Sequence, residues 1–202
     1  MNNWFKRAVA AAGVATALIL PMSSLASDGT ITFTGAVTGS SCTINVNGSA
    51  ARDTTIALPT VDTAAITDAG ARTTAGGTFF NIVLSGCAAV DDYGAGAAPT
   101  NVQIYFEAGL NVDENTGGLI NTLGPGGANS GGSNVEVKLY NASEGTIVGT
   151  QITPGKATVQ PPVQTIAGAG TQWFYAGYST QRNGAATAGA VSTSVTYSLI
   201  YN

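Results

Sequence analysis

The amino-acid sequence predicts an all-β fold, an antiparallel sandwich, on three observations. Six short runs carry strand signals, several of them alternating apolar and polar residues with period two, turn-forming residues separate the runs, and no stretch beyond residue 26 keeps a 3.6-residue helical period. The first run, residues 30–38, reads TITFTGAVT and is rich in β-branched residues, which suit a pleated strand. Residues 78–84 form the second, bounded by Ser85 and Gly86. Residues 102–106 form the third, and residues 135–140 alternate up to Asn141. The fifth covers residues 172–178 and the last residues 195–201. Loops are expected at residues 91–99 and 124–134, where Gly, Asn, Ser and Pro crowd together, and at Pro161 and Pro162, which cannot donate to a ladder. Only residues 61–70 suggest a short helical turn, and no internal repeat or second-domain boundary is visible.

The N-terminus has its own logic. Lys6 and Arg7 precede an uncharged apolar run from Ala8 to Leu20, and Pro21 interrupts it. Ser24 and Ala26 then place small residues where a signal peptidase reads. This pattern predicts a secretory signal peptide over residues 1–26, and the alternative is a membrane-anchoring helix. A span needs roughly 20 apolar residues, more than this run offers. Removal of the leader leaves five basic residues against 11 acidic ones, a formal charge of −6. Dispersed acidity opposes nucleic-acid binding, which needs clustered Lys and Arg.

No histidine occurs in the chain, so the commonest general base and metal ligand are both missing. Asp91 with Asp92, and Asp113 with Glu114, are adjacent acids of the kind found in solvated turns. Gly155-Lys156 is followed by Ala157 where a phosphate loop needs Ser or Thr. Asn47-Gly48-Ser49 and Asn141-Ala142-Ser143 match the glycosylation triplet, and their turn-forming residues account for them without it. The sequence thus offers no catalytic, metal or cofactor set, and an enzyme is not expected. Cys42 and Cys87 have no neighbouring ligands at metal spacing. In an oxidising compartment the pair reads as one disulfide, with two free thiols as the alternative.

The two ends carry the functional signal. Gly29, Ile31, Phe33, Gly35 and Val37 share one face of the first run. Val195, Tyr197, Leu199 and Tyr201 share one face of the last. Ordinary first and last strands of a complete sandwich fit the same patterns. The combination of GTITFTG at residues 29–35, Ser41-Cys42, LSGC at residues 84–87, YAGY at residues 175–178, GAATAG at residues 184–189 and the penultimate Tyr201 resembles fimbrial subunits of the chaperone–usher pathway. The likeness is greatest to type 1 pilus major subunits and covers nearly the whole chain. Gly189, fourteenth from the end, and Tyr201 match the family's C-terminal signature for chaperone recognition.

That resemblance implies an incomplete immunoglobulin-like β-sandwich, a pilin fold whose missing last strand is supplied by a donor. It divides the chain into a signal peptide (1–26), a donor-strand extension (27–38) and a pilin domain (39–202). A periplasmic chaperone would first lend a strand to the groove beside Gly189, Val195, Tyr197, Leu199 and Tyr201. At the outer-membrane usher, the N-terminal extension of the next subunit would replace it through Gly29, Ile31, Phe33, Gly35 and Val37. The implied role is a structural subunit of an extracellular fimbria supporting cell adhesion, with homologous subunits as partners. A minor tip or adapter subunit and a carbohydrate-binding adhesin are the alternatives, the latter disfavoured because this chain has room for one domain.

Overall fold

The structure, a computed structural model, describes residues 41–66, 76–88, 101–124, 134–156, 164–165, 169–180 and 185–201. The predicted leader and the run at 30–38 lie outside the described residues, as do the loop at 91–99 and most of that at 124–134. In chain order the strands are β1 (Ser41–Val46), β2 (Gly77–Ala88), β3 (Asn101–Phe106), β4 (Leu119–Ile120), β5 (Val135–Ser143), β6 (Thr146–Ile152), β7 (Gln164–Thr165), β8 (Ala169–Thr180) and β9 (Tyr197–Tyr201). Of the helical turn expected at 61–70, residues 61–66 are described and hold a 3₁₀ turn at Thr63–Ala65, where Ala64 N–H donates to the Asp62 carboxylate at 2.8 Å.

Two sheets form the sandwich. The larger runs β1-β2-β8-β5-β4, with β6 also on β5, and the smaller runs β7-β3-β9. All pairings among the described residues are antiparallel. Alternation decides which face turns inward. Cys42, Ile44 and Val46 of β1, Phe80, Ile82 and Leu84 of β2, Val137 and Leu139 of β5, and Val102, Ile104 and Phe106 of β3 are all buried in one cluster. Phe174 sits at its centre, with ring centroids 5.3 Å from Phe80 and 5.2 Å from Phe106, the latter edge to face.

Cys42 and Cys87 are joined by a disulfide between β1 and β2, Cα atoms 4.1 Å apart. The β1–β2 register slips there, because Ser41 pairs with Ala88 while Thr43 pairs with Ser85. Gly86, at φ 60°, supplies the left-handed residue that the resulting bulge needs. Hence β2 continues through Ser85 and Gly86 to Ala88 instead of stopping at 84. β5 likewise runs past Asn141 to Ser143, where it turns into β6.

The outer face of the larger sheet is not bare. Tyr140 and Tyr175 are buried there with Ala142, and Phe79, Ile147 and Trp173 pack against them. Trp173 and Tyr175 therefore belong to a second, outward cluster, not to the sandwich core where an alternating strand usually places its aromatics. Nearby on β5, Glu136 and Lys138 are 0% and 3% exposed and form an ion pair at 3.3 Å. Thr116 Oγ1 donates to Glu136 Oε2 at 2.6 Å, so the buried carboxylate is met by both a charge and a hydroxyl. Residues 37–202 form one compact unit. The architecture is the all-β, incomplete immunoglobulin-like sandwich, short of one edge strand.

Candidate functional site

β9 pairs with β3 in strict register, Tyr197 with Phe106, Leu199 with Ile104 and Tyr201 with Val102. Paired residues of neighbouring strands face the same way, so Tyr197, Leu199 and Tyr201 point inward with their partners. Their environments differ sharply. Val102, Ile104 and Phe106 are 0–2% exposed, whereas the three β9 residues are only partly buried. Direction is the same, so the difference lies in the cover above them. The outer edge of β9 has no strand beside it among the described residues.

The uncovered space is a groove of about 1070 Å³. Its floor is the inner face of the larger sheet, including Ile44, Phe80, Ile82, Leu139 and Ala176. Residues 191–199 and Tyr201 line it, and so do residues 52–58. The run before β9 is irregular but anchored. Thr122 N–H donates to the Ser192 carbonyl at 2.8 Å, and Ser192 N–H donates to Asn121 Oδ1 at 2.9 Å. Asn111 Nδ2 donates to Ser194 Oγ at 3.0 Å, and Glu107 N–H to the Thr196 carbonyl at 2.9 Å. The run 52–58 is held at Thr78, whose hydroxyl donates to the Ala57 carbonyl at 3.0 Å. Tyr197 ties the two linings together, its hydroxyl donating to the Arg52 carbonyl at 3.0 Å.

Electrostatics here are those of an apolar cleft. Burial is the main cause that raises the Tyr197 phenol above its ordinary value of 10.0; Asp53 adds to the rise and Arg52 opposes it. Tyr178, which also lines the groove, is raised by burial alone. Among the described residues no cluster of His, Cys, Asp or Glu could hold a metal ion. Apolar walls beside an unpaired strand edge suit an extended peptide, whose backbone completes the ladder while alternate side chains enter the groove.

Of the residues singled out in the sequence, Val195, Tyr197, Leu199 and Tyr201 all line the groove. Val195 does so from the irregular run, since β9 begins at Tyr197. Gly189 lies before the lining, at φ 156°, a backbone angle that residues with a side chain rarely adopt. Gly29, Ile31, Phe33, Gly35 and Val37 lie outside the described residues. Sequence reasoning missed Ile56 and Leu58, which are partly buried against the core from the second lining. Their spacing of two was the available signal, hidden between threonines and Pro59.

Comparison with known proteins adds three likenesses. The family model described as FimA: Type-1 fimbrial protein, A matches residues 58–202. The chain is similar to the major fimbrial subunit SMF-1 of Stenotrophomonas maltophilia (strain K279a), 36% identical over 194 residues that cover 90% of this chain and 97% of the relative. It is also similar to the F17 fimbrial protein of Escherichia coli, 36% identical over 181 residues, 88% of this chain and 89% of the relative. A chain from a solved chaperone–usher pilus, determined to explain rod uncoiling, superposes with a TM-score of 0.51 at 19% identity, covering 87% of this chain and 96% of that one.

Proposed function

The chain belongs to the type-1 fimbrial protein family, and from that premise we propose that it is a structural, non-catalytic subunit that polymerises by donor-strand exchange. Residues 1–26 direct export and are removed, residues 27–38 are the donor extension, and residues 39–202 are the acceptor domain. A periplasmic chaperone covers the groove first, recognising the β9 region through Gly189 and Tyr201. At the outer-membrane usher, residues 29–37 of the next copy take its place, and the product is a fimbria outside the cell that supports adhesion.

One observation carries this proposal: the inward face of β9 stays partly exposed beside an edge that has no partner strand among the described residues, while the same face of β3 is buried. Such an edge in water is an aggregation hazard that a chaperone would suppress. Burying Ile31 and Phe33 of the incoming segment would stabilise each junction by roughly 1.5–3 kcal/mol apiece. Donor and acceptor are different surfaces of one chain, so the contact is head-to-tail and does not close on itself.

The test is deletion of residues 27–37. The shortened subunit should accumulate with its chaperone yet never serve as a donor, so cells carrying it alone display no filaments. Filaments of normal length from that variant would end the proposal. Mass spectrometry of sheared filaments then tells a major subunit from a tip or adapter one by its abundance.

A further inference from the structure

Resting on the donor-strand reading above, we infer that the turn 107–112, with Leu110 at its tip, is a docking point for the body of the next copy of this chain, so that successive subunits touch outside the groove as well as within it. Leu110 is 102% exposed, the most exposed of the large hydrophobic side chains among the described residues. A lone surface leucine is ordinary, but this one is held outward by its turn. Val112 N–H donates to the Gly109 carbonyl at 3.0 Å and closes the turn, and Ile120 N–H donates to the Asn111 carbonyl at 2.7 Å. Glu107 and Asn111 tie the turn to Thr196 and Ser194 in the run before β9. Ala108 and Gly109 are exposed too, so the tip is small, uncharged and apolar.

Position in the fold decides what covers it. β3 ends at Phe106, opposite Tyr197, so the turn stands at the end of the groove where β9 begins. The pairs Asn101–Thr165 and Val102–Tyr201 mark the other end. β1 starts at that other end as well, since Ser41 pairs with Ala88 and Ser85 with Ala169, and Ala169 follows Thr165 by four positions. The extension before β1 therefore departs from the end opposite the turn. An incoming extension that ran parallel to β9 would bring its body to the Tyr201 end, from which the acceptor's own extension already departs toward a third copy. One end would then face two bodies, and head-to-tail growth would jam. An antiparallel extension brings the incoming body to the Tyr197 end, beside the turn. From residue 37 to Ser41 the chain reaches at most about 14 Å, so the β1 end of the incoming copy is held within reach of Leu110. At that end Ser85, Gly86, Ala88, Asn101 and Ala169 carry no charge, and Ser85, Gly86 and Ala169 are exposed. Covering the leucine with them strands no ion away from water.

Two measurements on full-length chains test this. A photoreactive benzophenone side chain placed at position 110 should cross-link neighbouring subunits in irradiated filaments, and peptide mapping should find the bond at residues 85–88, Asn101 or Ala169. Cross-links that map to β6 or elsewhere away from that end, or none between subunits, overturn the inference. Leu110→Asp should leave the amount of chaperone-bound subunit unchanged, because the side chain is in water before assembly. It should raise the rate at which heated filaments shed monomers by about tenfold or more, while Leu110→Met behaves as wild type. Leu110→Asp filaments as durable as wild type refute the inference, and so does a fall in chaperone-bound subunit, which would assign the leucine to the chaperone instead. The donor-strand proposal survives either failure if removal of residues 27–37 abolishes filaments. Should that deletion leave filaments intact, both fall together.

Discussion

Consecutive residues in β8 serve opposite masters. Phe174 is 0% exposed in the sandwich core, while Tyr175, one position on, is buried in the outer cluster with its ring centroid 4.9 Å from that of Phe79. Tyr175 can lie down on the sheet because Gly77 and Gly177 beneath it lack side chains; a Cβ at either would collide with its ring. Phe174→Ala leaves a void between Phe80 and Phe106 that the rigid strands cannot close. It should lower stability by about 3–5 kcal/mol, read as a reduced urea midpoint of the purified subunit. Alternation made the inward direction of Phe174 legible, and likewise Tyr197, Leu199 and Tyr201. It could not announce that Tyr175 and Trp173 would find partners on the other face, because that depends on Tyr140 arriving from β5, 33 positions earlier than Trp173. Nor could it reveal Arg52, whose contribution to the groove is a backbone carbonyl that any residue would carry.

Among the elements, β1 is the one that most needs a tether. It lies at the edge of the larger sheet, pairs only with β2 among the described residues, and is covalently fixed to it by Cys42–Cys87. The bond closes a loop of 45 positions, which restricts the unfolded chain by on the order of 4 kcal/mol. Replacing both cysteines by serine should lower the thermal midpoint by several degrees and reduce the amount of subunit recovered from the periplasm, whereas a subunit of unchanged midpoint would mean that the bond is dispensable. β1 went unread as a strand because its inward set is only Cys42, Ile44 and Val46, flanked by the Asn47-Gly48 turn. β6 was hidden by Gly149 and by exposed Val148, and β4 and β7, two residues each, exist only through pairing. The long strands β2, β5 and β8 were legible since each carries a sustained run of apolar, β-branched or aromatic residues, which the short edge strands lack.

At the scale of the whole molecule, alkaline pH acts on the fold through three tyrosines. Tyr175, Tyr178 and Tyr197 are all raised above 10.0, chiefly by burial, which penalises the phenolate. Folding therefore favours the protonated forms. Their contribution is fully present below the ordinary value of 10.0 and is lost as pH climbs through the raised values. Urea midpoints should hold steady up to about pH 9 and fall above pH 10, and Tyr197→Phe should soften that fall. The fold class and the existence of an unfinished sandwich were legible from alternation and end signatures together, while the second lining of the groove was not, since residues 52–58 belong to no strand. A filament is also a rope, and the attachment of β9 fixes how it carries tension. Among the described residues β9 pairs with one strand, β3, through a five-residue ladder. Traction along an inserted strand would run parallel to β9, so all rungs of that ladder resist sliding at once instead of opening one after another. Under such load the β3–β9 ladder or the proposed donor seam beside it would yield before the broad β2–β8–β5 sheet.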